Sequence, residues 1–197
     1  AIITAFNPMF IFIAGSVNND NLVIMLNSFA IYFMLLTLRD GFVLRRSLAI
    51  AALVALAALT KLSALVLVPV IALAALWLAN RDKDWRGLVI LGGAMLVAWG
   101  IIAGWWYLRN IQLYGELFGT ATMAAVAGPR EEAFTLGTLL AEFQGFRLSY
   151  WGVFGAFNIQ TTSIFYGLAD LLVFISMFGV MFLVAQLISI RDFSYAR

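Results

Sequence analysis

The chain has 197 residues, of which 64% are hydrophobic and 11% are charged, and its formal net charge at pH 7 is +2. Soluble globular domains are about half apolar and about one quarter charged, so this composition excludes a cytosolic enzyme, a disordered tail and a nucleic-acid-binding module. The absence of cysteine and histidine also excludes disulfides, thiol catalysis and thiolate or imidazole metal sites.

Apolar stretches in chain order predict membrane-spanning helices, because a span needs about 20 mostly apolar residues. Residues 2–15 are short and are expected to be the end of a span that begins upstream of Ala1. The stretches 22–38, 88–107 and 168–190 each have the length of one crossing. A straight helix over residues 47–79 would be about 50 Å long, well beyond a bilayer core of about 30 Å.

A single charge, Lys61, interrupts the long stretch 47–79. A lysine at the centre of a span costs about 2.5–3.5 kcal/mol, whereas a lysine at a hairpin tip can reach water. We therefore predict two helices that turn at residues 60–63. The basic residues before and after the hairpin, at 39–46 and 81–86, then lie together on the cytoplasmic side. Pro69 is expected to bend the second helix.

The longest polar stretch, residues 108–167, is predicted to lie on the outer face. It has a turn at residues 128–132, a helical segment from Phe134 to Phe143, and an aromatic, glycine-rich stretch from Phe146 to Tyr166 that we interpret as interfacial helix and loop. The predicted fold is an all-α, polytopic membrane helical bundle of about five to six transmembrane helices. Its segments are transmembrane helices with short loops over residues 1–107, the outer loop over residues 108–167, and the final span with a cytoplasmic tail over residues 168–197.

Asp20 lies in a polar cluster, residues 16–21, between two apolar elements. One interpretation is a solvated turn in which Asp20 or Asn21 caps the next helix. The other is functional, with Asp20 as a catalytic carboxylate that binds a sugar hydroxyl or a divalent metal such as Mg²⁺ or Mn²⁺.

Two cations are expected on the same outer side as Asp20. Lys61 in the predicted hairpin tip either snorkels to water or binds an anion. Arg109, which follows Trp105 and Trp106, either anchors in lipid headgroups or holds a phosphate. The candidate substrate- or phosphate-binding residues are Lys61, Arg109, Asn19, Asn110, Tyr114 and Glu116.

An aromatic and glycine cluster at residues 149–155, with Asn158, is a further candidate on this side. Such clusters stack on sugars or pack against acyl chains, and both interpretations stay open.

At these positions the chain resembles the GT-C membrane glycosyltransferases, most of all the branch related to protein O-mannosyltransferases and lipid A aminoarabinose transferases. The strings that carry the likeness occur in the family's order over about residues 5–160: Asn7-Pro8, Gly15-Ser16-Val17-Asn18-Asn19-Asp20-Asn21-Leu22, Ala57-Ala58-Leu59-Thr60-Lys61-Leu62-Ser63-Ala64-Leu65, Trp106-Tyr107-Leu108-Arg109-Asn110, Tyr114-Gly115 and Tyr150-Trp151-Gly152-Val153-Phe154-Gly155.

The resemblance implies an enzyme that transfers a sugar from a polyprenyl-phosphate carrier to an acceptor outside the cytoplasm, in the inner membrane of a bacterium. It implies that Asp20 is an acidic residue of the second outer loop, and that Lys61 and Arg109 contact the carrier phosphate. The family's main catalytic carboxylate follows its first transmembrane helix and is not among these residues, so we expect the chain to be the central portion of a longer protein. The alternative is a non-catalytic accessory or structural subunit of a larger membrane complex.

Overall fold

The computed structural model describes residues 2–128, 133 and 135–195, and these residues are mostly helical. In chain order the elements are α1 (Ile2–Ala5), α2 (Pro8–Ala14), α3 (Asn19–Asp40), α4 (Leu44–Thr60), a 3-10 helix (Leu62–Val66), α5 (Leu67–Asp82), α6 (Trp85–Ile102), α7 (Gly104–Tyr114), α8 (Thr120–Ala127), α9 (Leu136–Gly152), β1 (Val153–Phe154), β2 (Ile159–Gln160) and α10 (Ser163–Tyr195).

The chain forms two compact units. Unit 1 comprises Ala1–Gly15 and Ala133–Arg197, and unit 2 comprises Ser16–Glu132. These units are defined by the contacts between residues. The predicted boundaries after residues 107 and 167 instead divide the chain by its position relative to a membrane. Those boundaries therefore stay predictions. Residues 129–132 of the turn predicted at 128–132, and Phe134, lie outside the described residues.

Unit 2 is built around α4, which packs against α3 on one side and α6 on the other. Alanine and leucine fill much of α4, and these are the residues that favour helix most strongly. The core is a cluster in which Ile50 and Val54 of α4 meet Ile71 and Ala75 of α5. Residues from both sides of Lys61 therefore share one core, which confirms the predicted break and the return of the chain.

The two polar connections of unit 2 lie at the same end of the bundle. Phe42, in the turn between α3 and α4, and Ser47, in the first turn of α4, line a small cavity together with Asp84, which caps α6, and Arg86, in the first turn of α6. Arg46 closes the first turn by donating hydrogen bonds to the Leu36 carbonyl and, at 3.1 Å, to the Asp40 carboxylate. The two basic loops therefore lie at one end of this unit, and their location on the cytoplasmic side stays a prediction.

Gly87 allows these two turns to approach each other. Asp84 caps α6 by accepting a hydrogen bond of 2.8 Å from the Gly87 N–H group. A β-carbon on Gly87 would lie 2.4 Å from the ring of Phe42 and 2.6 Å from the Asp84 carboxylate. Only a residue without a side chain fits this contact.

Pro69 lies inside the second helix of the hairpin as expected, and the bend predicted there stays a prediction. The chain forms a 3-10 helix up to Val66, and Pro69 occupies the first turn of α5. Proline is tolerated there because the N–H groups of the first turn have no partner within the helix.

Four helical stretches of the described residues are long and apolar enough to cross a membrane, namely Asn19–Asp40, Leu62–Asp82, Trp85–Ile102 and Ser163–Gln186. Of the five to six spans expected, the described residues therefore support four. α4, with 17 residues, is one residue shorter than the shortest of these four stretches. The apolar stretch 2–15 is divided because Asn7 caps a new helix, α2, that starts with Pro8.

Unit 1 contains α1, α2, α9, the β-hairpin and α10. The end of α9 covers residues 146–152 of the stretch expected to be interfacial helix and loop, and the location of that stretch at a membrane surface stays a prediction. The Asn7 amide donates a hydrogen bond of 3.1 Å to the Tyr150 carbonyl, which joins the start of α2 to α9. The antiparallel hairpin of β1 and β2 then leads into α10. Gly155 has φ of +64° in this turn, which is a conformation that glycine adopts without strain.

Candidate functional site

The polar cluster at residues 16–21 is the N-terminal cap of α3. The Asn18 side chain accepts hydrogen bonds from the N–H groups of Asp20, at 2.8 Å, and Asn21, at 3.3 Å. The capping residue is therefore Asn18, and not Asp20 or Asn21 as expected. Because Asn18 satisfies the helix end, the Asp20 carboxylate in the first turn is left for another partner.

That partner is Lys61, which ends α4. Its backbone is extended, and its ammonium group donates a hydrogen bond to the Asp20 carboxylate from 41 residues away in the sequence. The neighbouring residues make a second link, in which the Asn19 amide donates to the Thr60 carbonyl at 3.3 Å. The structure thus brings three of the predicted site residues, Asn19, Asp20 and Lys61, to one place.

The ends of the helices favour this arrangement of charges. Asp20 lies at the N-terminus of α3, which carries a partial positive charge, and Lys61 lies at the C-terminus of α4, which carries a partial negative charge. Both side chains keep about one third of their surface exposed, 33% for Asp20 and 37% for Lys61. The pair is therefore accessible to a ligand while it is held by two helices.

The Lys61 ammonium group has three N–H donors, and the Asp20 contact uses one of them. A phosphate oxygen can accept from the others without breaking the pair. The pair can therefore bind an anion through Lys61 while Asp20 fixes the position of the ammonium group.

Arg109 lies on α7, which follows a break in the helix at Ala103. Its guanidinium group stacks on the Trp106 ring at 5.2 Å. Tyr107, two residues before Arg109, packs edge-on against Trp99 with ring centroids 5.3 Å apart. Among the residues that the structure describes, no contact joins Arg109 to Asp20 or Lys61.

The end of α6 nevertheless reaches the region of Lys61. Trp99 lines an apolar cavity of about 520 Å³ together with Ala58, three residues before Lys61, and Leu65, four residues after it. Because α7 starts only five residues after Trp99, it begins at the end of the bundle that holds the Asp20–Lys61 pair.

The remaining predicted site residues have local partners. Asn110 is buried, with 3% of its surface exposed, and its amide donates to the Leu117 carbonyl at 3.2 Å. The Glu116 carboxylate accepts from the N–H group of Ala121 at 2.9 Å, at the start of α8. Tyr114 ends α7 and is exposed. The contacts of Asn110 and Glu116 stabilise the loop after α7, and a role in phosphate binding stays a prediction for all three residues.

A divalent metal at Asp20 stays a prediction. Mg²⁺ and Mn²⁺ take oxygen ligands, and Mg²⁺ is usually held by one or two carboxylates together with waters and substrate phosphates. Within the described ranges, no three acidic, histidine or cysteine side chains converge. The Asp20 carboxylate is also bound to an ammonium group, which repels a cation.

The aromatic and glycine cluster at residues 149–155 forms the end of α9 and the first strand of the hairpin. Trp151 is packed in a small core with Tyr166 and Ala169 of α10. The Asn158 side chain accepts a hydrogen bond of 3.2 Å from the Ala156 N–H group and so supports the turn. Packing thus accounts for Trp151, whereas Tyr150 is exposed.

The ion pair between α9 and α10 was not predicted from the sequence. Arg147 of α9 and Asp170 of α10 form an ion pair in unit 1. Each is a lone charge in a largely apolar segment, and this is the signal that the sequence offers. Their spacing of 23 residues gives no periodic pattern that would join them.

Compared with protein-family models, with curated proteins and with solved structures, the chain matches none.

Proposed function

We propose that this chain is the central membrane portion of a glycosyltransferase of the GT-C type, which transfers a sugar from a polyprenyl-phosphate carrier to an acceptor outside the cytoplasm. The proposal places it in the inner membrane of a bacterium. The observation that carries it is the Asp20–Lys61 pair, because two segments that the resemblance assigns to one site are in direct contact. The four apolar helices long enough to cross a membrane support the location in a bilayer.

In this reaction the acceptor hydroxyl oxygen attacks the anomeric carbon of the donor sugar. The bond between that carbon and the phosphate oxygen breaks, and the carrier phosphate leaves with the bonding electrons. The hydroxyl proton goes to a carboxylate base, which the resemblance places outside these 197 residues. The chain itself supplies the charges that stabilise the leaving phosphate.

Lys61 is the residue that we assign to the phosphate. Its ammonium group offsets the negative charge that grows on the leaving oxygen, and preorganised charges of this kind are usually the largest contribution to catalysis. Asp20 is a positioning residue, because it holds the ammonium group at the end of the bundle. Arg109 is a second candidate for the same phosphate, since α7 begins at that end.

The test is a transfer assay on the natural full-length protein in membranes. The probe is a polyprenyl-phosphate-linked sugar with a radiolabel in the sugar, and the product is label in material other than the carrier. We expect Lys61→Met to lower the transfer rate by about 100-fold, as for the loss of one preorganised charge. Arg39→Met is the matched control, because Arg39 is exposed and pairs only with its neighbour Asp40 in the described structure. No transfer by the unmodified protein from any such donor would refute the proposal.

A second candidate function is a non-catalytic subunit of a membrane complex. It is favoured by the internal partners of the candidate residues, since Asp20 and Lys61 neutralise each other and Glu116 binds the start of α8. In that case the exchange of charges, Asp20→Lys with Lys61→Asp, keeps the ion pair and preserves the role of the protein. If the chain is a transferase, the same exchange keeps the ion pair and the fold but abolishes sugar transfer, because the cation then lies at the start of α3 and not at the end of α4.

A further inference from the structure

One end of unit 2 carries an excess of positive charge. Residues 39–46 and 81–86 meet there and contain six basic side chains and three carboxylates, and we call this region the basic end. All three carboxylates have partners, namely Arg39 and Arg46 for Asp40, Arg81 for Asp82, and the Gly87 N–H group for Asp84. Arg45 and Arg86 are exposed, and neither has a carboxylate partner within the described residues. Two cations of the basic end are therefore available to an anion.

The start of α4 adds backbone N–H groups to these two cations. Val43, which precedes the helix, has no polar side chain, and no side chain caps this helix end. The starts of the neighbouring helices differ, because Asn18 caps α3 and Asp84 caps α6. The N–H groups of the first turn of α4 and the partial positive charge of this helix end thus also favour an anion.

A buried hydroxyl group in the first turn of α4 indicates that a ligand belongs at this place. Ser47 has only 2% of its surface exposed, and it lines a cavity of about 110 Å³ together with Arg86. In the part of the chain that the structure describes, its hydroxyl group makes no hydrogen bond. Buried hydroxyl groups normally have a partner, and a phosphate oxygen in the cavity would accept from this one. The Asp84 carboxylate is the group of the cavity wall that opposes an anion.

The surface beside this cavity is apolar and lies where a helix long enough to cross a membrane begins. That helix, α6, starts at Trp85. Trp85 and the α4 residues Leu44 and Leu48 are all more than half exposed. The end of a membrane span lies at the depth of the lipid phosphates, so these side chains can contact acyl chains while the phosphate group reaches the cavity. This favours a lipid over a free phosphate ion as the source of the anion.

We propose that the basic end binds the phosphate group of an anionic phospholipid between the start of α4 and the start of α6. Arg45 and Arg86 supply the positive charge, and Ser47 supplies a hydroxyl donor. A headgroup with a net negative charge is favoured, because the ammonium group of a zwitterionic headgroup would be repelled by the same arginines. The site lies at the other end of the α3–α4 pair from Asp20 and Lys61, so it does not depend on the proposed sugar transfer.

The experiment measures lipid binding to the full chain in detergent by native mass spectrometry. The probes are dioleoyl phosphatidylglycerol and dioleoyl phosphatidylcholine, which share their acyl chains and differ in headgroup charge. We expect the phosphatidylglycerol to bind about tenfold more tightly, and an excess of inorganic phosphate to leave it bound. Equal affinity for the two lipids would show that headgroup charge is not recognised, and displacement by inorganic phosphate would show a site for a soluble ion. Either result overturns the proposal.

Three variants test whether the lipid binds at this place. The double variant Arg45→Gln with Arg86→Gln is expected to lower the affinity for phosphatidylglycerol about tenfold. Arg39→Gln with Arg81→Gln is the matched control, because it removes the same charge from arginines that already have carboxylate partners, and a change of less than about threefold is expected.

Asp84→Asn keeps a residue that caps α6 and removes the charge that opposes the anion, so we expect the affinity to rise by about two- to threefold. This variant separates binding from folding, because a purely structural role of Asp84 gives no gain in affinity. Equal losses in the two double variants, or an affinity of Asp84→Asn that is unchanged or lower, overturn the proposal.

Discussion

Asn110 is a buried polar residue on α7. Its amide group has one bond to the Leu117 carbonyl, and only 3% of its surface is exposed. We expect Asn110→Ala to lower the free energy of unfolding by about 0.5–1.5 kcal/mol, because it removes the hydrogen bond from the buried amide to the Leu117 carbonyl. The measurement is the thermal unfolding midpoint in detergent, compared at one scan rate.

Gln112→Ala is the control for this prediction, since Gln112 lies on the same helix and is exposed. An equal change in the two variants would contradict the structural role of Asn110.

The Asp20–Lys61 pair shows how much of the candidate site could be predicted at the residue scale. Each residue stands out because a charge between apolar stretches is unusual, and that signal lies in the local sequence. The partner of each could not be predicted, because the pair joins residues 41 positions apart. The predicted cap of α3 was also wrong. The sequence alone does not show which residue is the cap, because Asn18, Asn19, Asp20 and Asn21 are all residue types that cap helices well.

At the scale of elements, the approach of the turn before α4 to the start of α6 depends on Gly87. We expect Gly87→Ala to lower the free energy of unfolding by about 1–3 kcal/mol, as for other overpacked sites, because its β-carbon would collide with the Phe42 ring. The measurement is again the unfolding midpoint in detergent.

Gly93→Ala is the matched control on α6, because a β-carbon there meets no atom within 4 Å. Alanine favours helix over glycine by about 1 kcal/mol, so this variant is expected to be as stable as the parent or more stable. If Gly87→Ala behaves like Gly93→Ala, the close contact of the two turns is wrong.

Helix boundaries were predictable where a local signal ends a helix. The break at Lys61 and the division of the first apolar stretch at Asn7-Pro8 both rest on residues that are visible in the sequence, although only the first was predicted. The length of α10 was underestimated at both ends, because Ser163–Tyr195 includes polar residues that an apolar window excludes. Hydropathy follows the bilayer core, whereas a helix continues as long as its backbone hydrogen bonds do.

At the scale of the whole molecule, the arrangement of unit 2 predicts which residues face the same side of a membrane. The chain has no cysteine, so single cysteines report position without a background. We expect Val17→Cys and Ser63→Cys, near Asp20 and Lys61, to react with an impermeant maleimide from one side. Val43→Cys, in the turn between α3 and α4, is expected to react only from the other side.

The assay compares intact cells with inside-out vesicles, and a detergent-solubilised sample is the control for reactivity. Labelling of Val17→Cys and Ser63→Cys from opposite sides would separate Asp20 from Lys61. That result would contradict both the ion pair and the proposed phosphate site.

The sequence by itself determined that the chain is apolar and helical, that it breaks at Lys61, and that Asp20, Lys61 and Arg109 are unusual charges. These properties depend on composition and on residues a few positions apart, so they can be read along the chain. Only the tertiary structure decided that Lys61 forms an ion pair with Asp20, that Arg147 forms one with Asp170, and that the Phe42 ring packs closely against Gly87. In a chain with so few charges and so many similar apolar helices, many pairings have comparable hydropathy, and side-chain packing selects among them.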